Sequence, residues 1–145
     1  MLEDKYKISV YDLFEKYGED TFRNVEYNAL KEALAQENVV IATGGGTPCF
    51  FDAMQCINEA AISIYIEMHP KSLVERLLYA KKARPLTKNK TREELLVYIT
   101  RQLALREPFY QQAHYTIKGE NFNLGSVNIT QLQYLIKKNV IKSEL

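Results

Sequence analysis

Apolar positions along the chain switch between a helical and a strand-like period, and the switches predict the elements. Ser9 suits the N-cap of a short helix running to Tyr17, with Gly18 as its stop. Asp20 or Thr21 opens a longer helix whose Phe22, Val25, Ala29, Leu30, Ala33 and Leu34 fall on one face, with Asn38 at its exit. Val39–Thr43 is a short β-branched run ending in Gly44-Gly45-Gly46, and nearly every residue is apolar, which predicts a buried parallel strand.

A helix over 52–58 follows, then a second buried strand, Ala61–Ile66. After Pro70, Ser72 and Glu75 form a capping-box pattern ahead of a helix carrying Leu73, Leu77 and Leu78. The polar, cationic stretch 81–90 interrupts the pattern and contains Pro85. Thr91 and Glu94 repeat the capping-box signature for a helix through Leu95, Ile99 and Leu103 to about Leu105. Tyr115–Ile117 predicts a third strand, and Thr130–Lys142 a final amphipathic helix. Helices between apolar strands imply an α/β layered fold with right-handed crossovers, and ligands gather at the carboxyl ends of such strands. That rule directs attention to the glycine run at 44–46.

Composition narrows the classes. The 145 residues suit one domain, 46% of them apolar and 26% charged, as in an ordinary globular chain. A net charge of +1 implies no nucleic-acid partner. The nearest basic tract, Lys137, Lys138 and Lys142, reads as the solvated end of a helix. Cys49 and Cys56 match no zinc or redox spacing and read as buried, reduced thiols, and His69 and His114 have no ligand-like neighbours, so no metal site is expected. No apolar run reaches membrane-spanning length and no leader pattern is present, so the expected location is the cytoplasm.

Three glycines after a strand remove three Cβ atoms where a ligand can approach the backbone, although a plain chain-reversing loop would look the same. Arg23 lies on the long helix with Glu26 one turn later, a pairing that can hold a guanidinium ready for a carboxylate. Arg84 precedes Pro85 in the cationic stretch, and Arg106 precedes Glu107-Pro108-Phe109-Tyr110. Each arginine taken singly fits a surface residue covering apolar neighbours with its stem.

Taken together, these segments resemble the shikimate kinase family. The segments are Gly18-Glu19-Asp20-Thr21-Phe22-Arg23-Asn24-Val25-Glu26, Val40-Ile41-Ala42-Thr43-Gly44-Gly45-Gly46, Arg84-Pro85-Leu86, and Arg106-Glu107-Pro108-Phe109-Tyr110, in family order. The resemblance implies a P-loop-kinase-type three-layer α/β/α domain over 1–145, with a lid at about 81–90. It implies that Arg23 and Arg106 clamp the carboxylate of shikimate and that Gly45 and Gly46 bind ring hydroxyls through their backbone. Glu26 would orient Arg23, with Gly44 in support. Arg84 would act as the catalytic and nucleotide-side lid arginine, on ATP with Mg²⁺ as the family's cofactors. Tyr110 reads as packing rather than chemistry, and Arg76 does not map cleanly onto the family's adenine-binding lid residue.

The family's first two strands and its Gly-x-x-Gly-x-Gly-Lys-(Ser/Thr) loop have no counterpart, since no Gly-Lys-Ser or Gly-Lys-Thr occurs in the sequence. A strand, P-loop and helix occupy roughly 30 residues or more, and the resemblance aligns Met1 after them, as an internal methionine. The expectation is therefore a shikimate kinase-like chain that is inactive alone. The alternatives are a binder of small carboxylates without catalysis, or a regulatory α/β module. The family's central strand would lie between Val39–Thr43 and Ala61–Ile66. Without it, the two are expected to pair directly, to admit another chain, or to distort, and homo-oligomerisation is favoured over the monomer expected of an intact member.

Overall fold

The computed structural model describes residues 3, 7–79 and 90–120. The lid with Arg84, and the helix expected at Thr130–Lys142, lie outside the described residues. Helix α1 spans Val10–Leu34, and the Ser9 hydroxyl caps it by accepting from the Asp12 N–H at 3.0 Å. Gly18 interrupts it at φ 79°, ψ 171°, so the predicted stop is a kink joining two helices rather than a gap between them. The helix ends at Leu34, capped by Ala35, and Asn38 takes a left-handed φ of 58° in the turn beyond.

A 3₁₀ turn, Thr47–Cys49, follows the glycines, and α2 is Ala53–Ala60. Strand β1 is Ile64–Glu67, α3 Pro70–Leu78, α4 Arg92–Tyr110 and β2 Tyr115–Lys118. β1 and β2 pair in parallel, Ile64 opposite Tyr115 through Glu67 opposite Lys118, with α3 and α4 forming the crossover. Around this parallel α/β unit the core falls into two clusters. Leu30, Ala53 and Ile57 join α1 to α2, and Val74, Leu95 and Ile99 join α3 to α4. Fully burying a side chain such as Leu95 contributes about 1.5–3 kcal/mol.

Several local expectations need correction. The segment 39–43 is not a strand: Val39, Val40 and Ile41 are exposed, Val40 completely, and the segment pairs with no neighbour among the described residues. Direct pairing of 39–43 with β1 does not occur. β1 starts three residues later than expected and is not buried: Ile64 and Ile66 lie on an exposed face, and among the described residues β2 is its one strand neighbour. The Ser72–Glu75 box does not form. His69 caps α3 instead, its Nδ1 accepting from the Lys71 N–H at 3.2 Å, and Glu75 pairs with Arg92 on α4. The Thr91–Glu94 box forms in full.

Helix α4 does not stop near Leu105 but runs through Pro108 to Tyr110, so Arg106 lies inside it. Pro108 is tolerated in the last turn, where Gln112 Nε2 donates to its carbonyl at 3.0 Å. Both cysteines are free but only half-buried, and His114 exchanges hydrogen bonds with Ser63. No described helix is long and apolar enough to cross a membrane.

Candidate functional site

Helical spacing sets the first half of the site. Positions 19, 23 and 26 share one face of α1, so Glu19 and Glu26 flank Arg23 at i−4 and i+3. Arg23 Nη1 donates to Glu26 Oε2 at 2.7 Å, while Nε and Nη2 reach Glu19 Oε1 at 3.3 and 3.2 Å. Its guanidinium lies over the Phe50 ring, 4.0 Å from the centroid, and the side chain is only 13% exposed. Glu19 is half exposed, so water screens its pairing, and Glu26 is the stronger partner.

Glu26 does a second job. Its Oε1 accepts from the Thr47 hydroxyl at 2.8 Å, which ties α1 to the turn just after the glycines. The arginine is thus held from three sides before any ligand arrives, and little side-chain entropy remains to be lost on binding.

The second half comes from α4. Arg106 and Tyr110 are one turn apart and both face the glycine run. A Cβ at Gly45 would lie 3.2 Å from Arg106 Nη1 and 3.3 Å from the Tyr110 hydroxyl, and a Cβ at Gly46 only 2.8 Å from Arg23 Nη1. The two guanidinium groups therefore press on adjacent glycines, Arg23 on Gly46 and Arg106 on Gly45. At Gly44 a Cβ would meet Thr47 Oγ1 at 3.1 Å.

Within the turn, the Thr47 N–H donates to the Gly44 carbonyl and the Cys49 N–H to that of Gly46. Among the described residues, the Gly45 and Gly46 N–H groups donate to no turn or loop carbonyl. Two guanidinium groups beside adjacent glycine backbones are a donor set chemically suited to an anion such as a carboxylate.

Electrostatics register the same convergence. Burial pushes the Cys49 thiol up, opposed by the charges of Arg106 and Arg23. Burial also raises the Tyr110 phenol, with Arg106 pulling it down. The sequence-predicted residues Arg23, Glu26, Gly44, Gly45, Gly46 and Arg106 come together, and Arg84 lies outside the described residues. Three partners were missed. Thr47 and Phe50 follow the glycines closely, but nothing in their spacing marks them as facing a helix more than twenty residues earlier. Tyr110 was read as packing, yet its hydroxyl donates to the Gly45 carbonyl.

The sequence model of the shikimate kinase family matches residues 1–133. This chain belongs to the shikimate kinase family. It is 40% identical over 136 residues to the shikimate kinase of Bacteroides fragilis, covering 94% of this chain and 76% of that protein. The crystal structure of shikimate kinase from Bacteroides thetaiotaomicron superposes with a TM-score of 0.87 at 37% identity, over 94% of this chain and 79% of that one. Shikimate kinase from Acinetobacter baumannii, solved in complex with shikimate, matches with a TM-score of 0.77 at 29% identity, over 95% and 75%. The parallel pair with its helical crossover is thus part of the shikimate kinase α/β fold, and the chain is shikimate kinase-like in function as in structure.

The described residues do not offer a fit for the family's nucleotide and metal. They contain no cluster of three His, Cys, Asp or Glu groups able to hold a cation, and the 145 residues contain no Gly-Lys-(Ser/Thr) loop.

Proposed function

We propose that this chain carries the shikimate-binding half of a shikimate kinase site. The observation behind this reading is the approach of Arg23 and Arg106 from two different helices to neighbouring glycines. In it, the two guanidinium forks take the substrate carboxylate, a planar anion that bidentate donors suit. The Gly45 and Gly46 amides take ring hydroxyls, and Glu26, braced by Thr47, keeps Arg23 in its rotamer. Arg84, outside the described residues, is the cation this reading assigns to the phosphoryl group.

The family transfers the γ-phosphoryl of ATP to a shikimate hydroxyl with Mg²⁺. Positioning and charge stabilisation dominate such transfers, and a P-loop supplies most of the phosphate contacts. No step through ATP or Mg²⁺ follows from the residues in hand, so the 145 residues by themselves are proposed to bind shikimate without phosphorylating it. A cytoplasmic location belongs to the same reading, supported by the two free thiols.

Thermal unfolding with and without shikimate tests the binding half. A site occupied at 100 times its Kd stabilises the chain by about 2.7 kcal/mol. Absence of any shift at millimolar shikimate would remove the proposal. A coupled phosphotransfer assay tests the other half, and robust turnover by the 145 residues alone would show that they hold nucleotide in a way this reading lacks.

A further inference from the structure

We propose that Tyr110 is a positioning residue for the shikimate site, holding Gly45 and Arg106 in one frame through its hydroxyl. The inference rests on the function proposed above and deepens it. The Tyr110 hydroxyl donates to the Gly45 carbonyl, on the peptide unit whose N–H belongs to Gly46. Fixing that carbonyl fixes the direction of the Gly46 amide, because the peptide group is planar.

The ring has its own support. Tyr110 lies against Tyr65 of β1 with ring centroids 5.1 Å apart, so the phenol is anchored to the sheet while its oxygen reaches the loop. Arg106 is one helical turn earlier and also touches the Gly45 position. The glycine run, the sheet and the arginine-bearing helix therefore meet at one side chain. Cys49 shares the anchored carbonyl, with Sγ 3.7 Å from Gly45 O, and so reports on the loop's position.

Tyr110→Phe removes the hydroxyl and keeps the ring contact. The test compares this variant with the parent, both in a Cys56→Ser background, by shikimate titration calorimetry, by thermal unfolding, and by the rate at which Cys49 reacts with an aromatic disulfide reagent. One neutral hydrogen bond corresponds to roughly a 3–10-fold change in affinity. The expected result is a 3–10-fold rise in the shikimate Kd, a faster Cys49 reaction without ligand, and a Tm within ~4 °C of the parent. Equal Kd and equal thiol rate would overturn the proposal. So would a fall in Tm beyond ~8 °C, which would make the hydroxyl a general prop of the fold. If the parent itself binds no shikimate, the functional reading fails, and the thiol rate still decides whether Tyr110 holds the loop.

Discussion

A single methyl group at position 46 would lie 2.8 Å from Arg23 Nη1, closer than carbon and nitrogen can sit. Gly46 has an ordinary φ of −89°, so alanine there strains no backbone and the whole effect falls on the guanidinium. Arg23 is pinned by Glu26, Glu19 and Phe50 and has little room to yield. Gly46→Ala is therefore expected to fold, with stability changed by less than about 1 kcal/mol, and to bind shikimate at least tenfold more weakly by calorimetry. Away from the site, the Tyr27 hydroxyl donates to Asp52 and holds that carboxyl below its ordinary value of 3.8. A depressed carboxyl contributes stability that is full above the ordinary value and lost as pH falls through the folded one. The same bond raises the Tyr27 phenol, whose contribution is lost as pH rises past its ordinary value of 10.0. Asp52→Asn is expected to make the acid limb of stability shallower, read from urea midpoints between about pH 2 and 6. An unchanged limb would assign the acid loss to other carboxyls, Glu120 first, which the His69 N–H also holds down.

The elements show which local signals survive tertiary contact. Gly18 announced a helix stop, and the chain does leave helical geometry there, at a φ of 79° and ψ of 171° that only glycine adopts easily. A Cβ at that position would touch nothing within 4 Å, so Gly18→Ala should lose about 1–3 kcal/mol through backbone strain alone. Equilibrium urea unfolding measures it, and a neutral result would mean that the two halves of α1 tolerate a straight helix. Thr91 and Glu94 capped α4 as their spacing predicted, because both bonds lie within one turn. Ser72 and Glu75 did not, although their spacing is the same. That helix begins three residues sooner, at Pro70 with His69 as its cap, which frees Glu75 to reach Arg92 on another helix. The end of α4 was misplaced because Pro108 reads as a breaker: it forfeits the bond to the Ala104 carbonyl, yet the helix continues only two residues beyond it, and Gln112 satisfies the carbonyl of Pro108 itself.

Across the whole molecule, apolar sequence and buried position come apart. Leu95 is 2% exposed between α3 and α4, and Leu95→Ala is expected to cost about 2–5 kcal/mol in chemical denaturation. Val40 is just as apolar yet fully exposed, so Val40→Lys should change the stability of the 145 residues by less than about 0.5 kcal/mol. A loss at Val40 comparable to that at Leu95 would show that the segment is covered in solution. The contrast also separates two parts of the family fold. The crossover unit of β1, α3, α4 and β2 has its own packed cluster, whereas 39–43 stands without a strand neighbour among the described residues.

Sequence alone determined the family, the order of the described elements apart from the strand expected at 39–43, the Thr91 cap and the Gly18 break, and it singled out Arg23, Glu26, Gly44, Gly45, Gly46 and Arg106 as candidates. Those features are local, or are carried by motifs whose spacing survives in one dimension. Only the tertiary structure decided that β-branched residues at 39–41 would lie exposed, since a strand needs a partner and no pattern within the strand can supply one. The tertiary structure also decided that Thr47 would brace Glu26, that Phe50 would lie under Arg23 and that Tyr110 would hold Gly45. Those contacts join residues 21, 27 and 65 positions apart, and only the packing of α1 and α4 against the glycine turn brings them together.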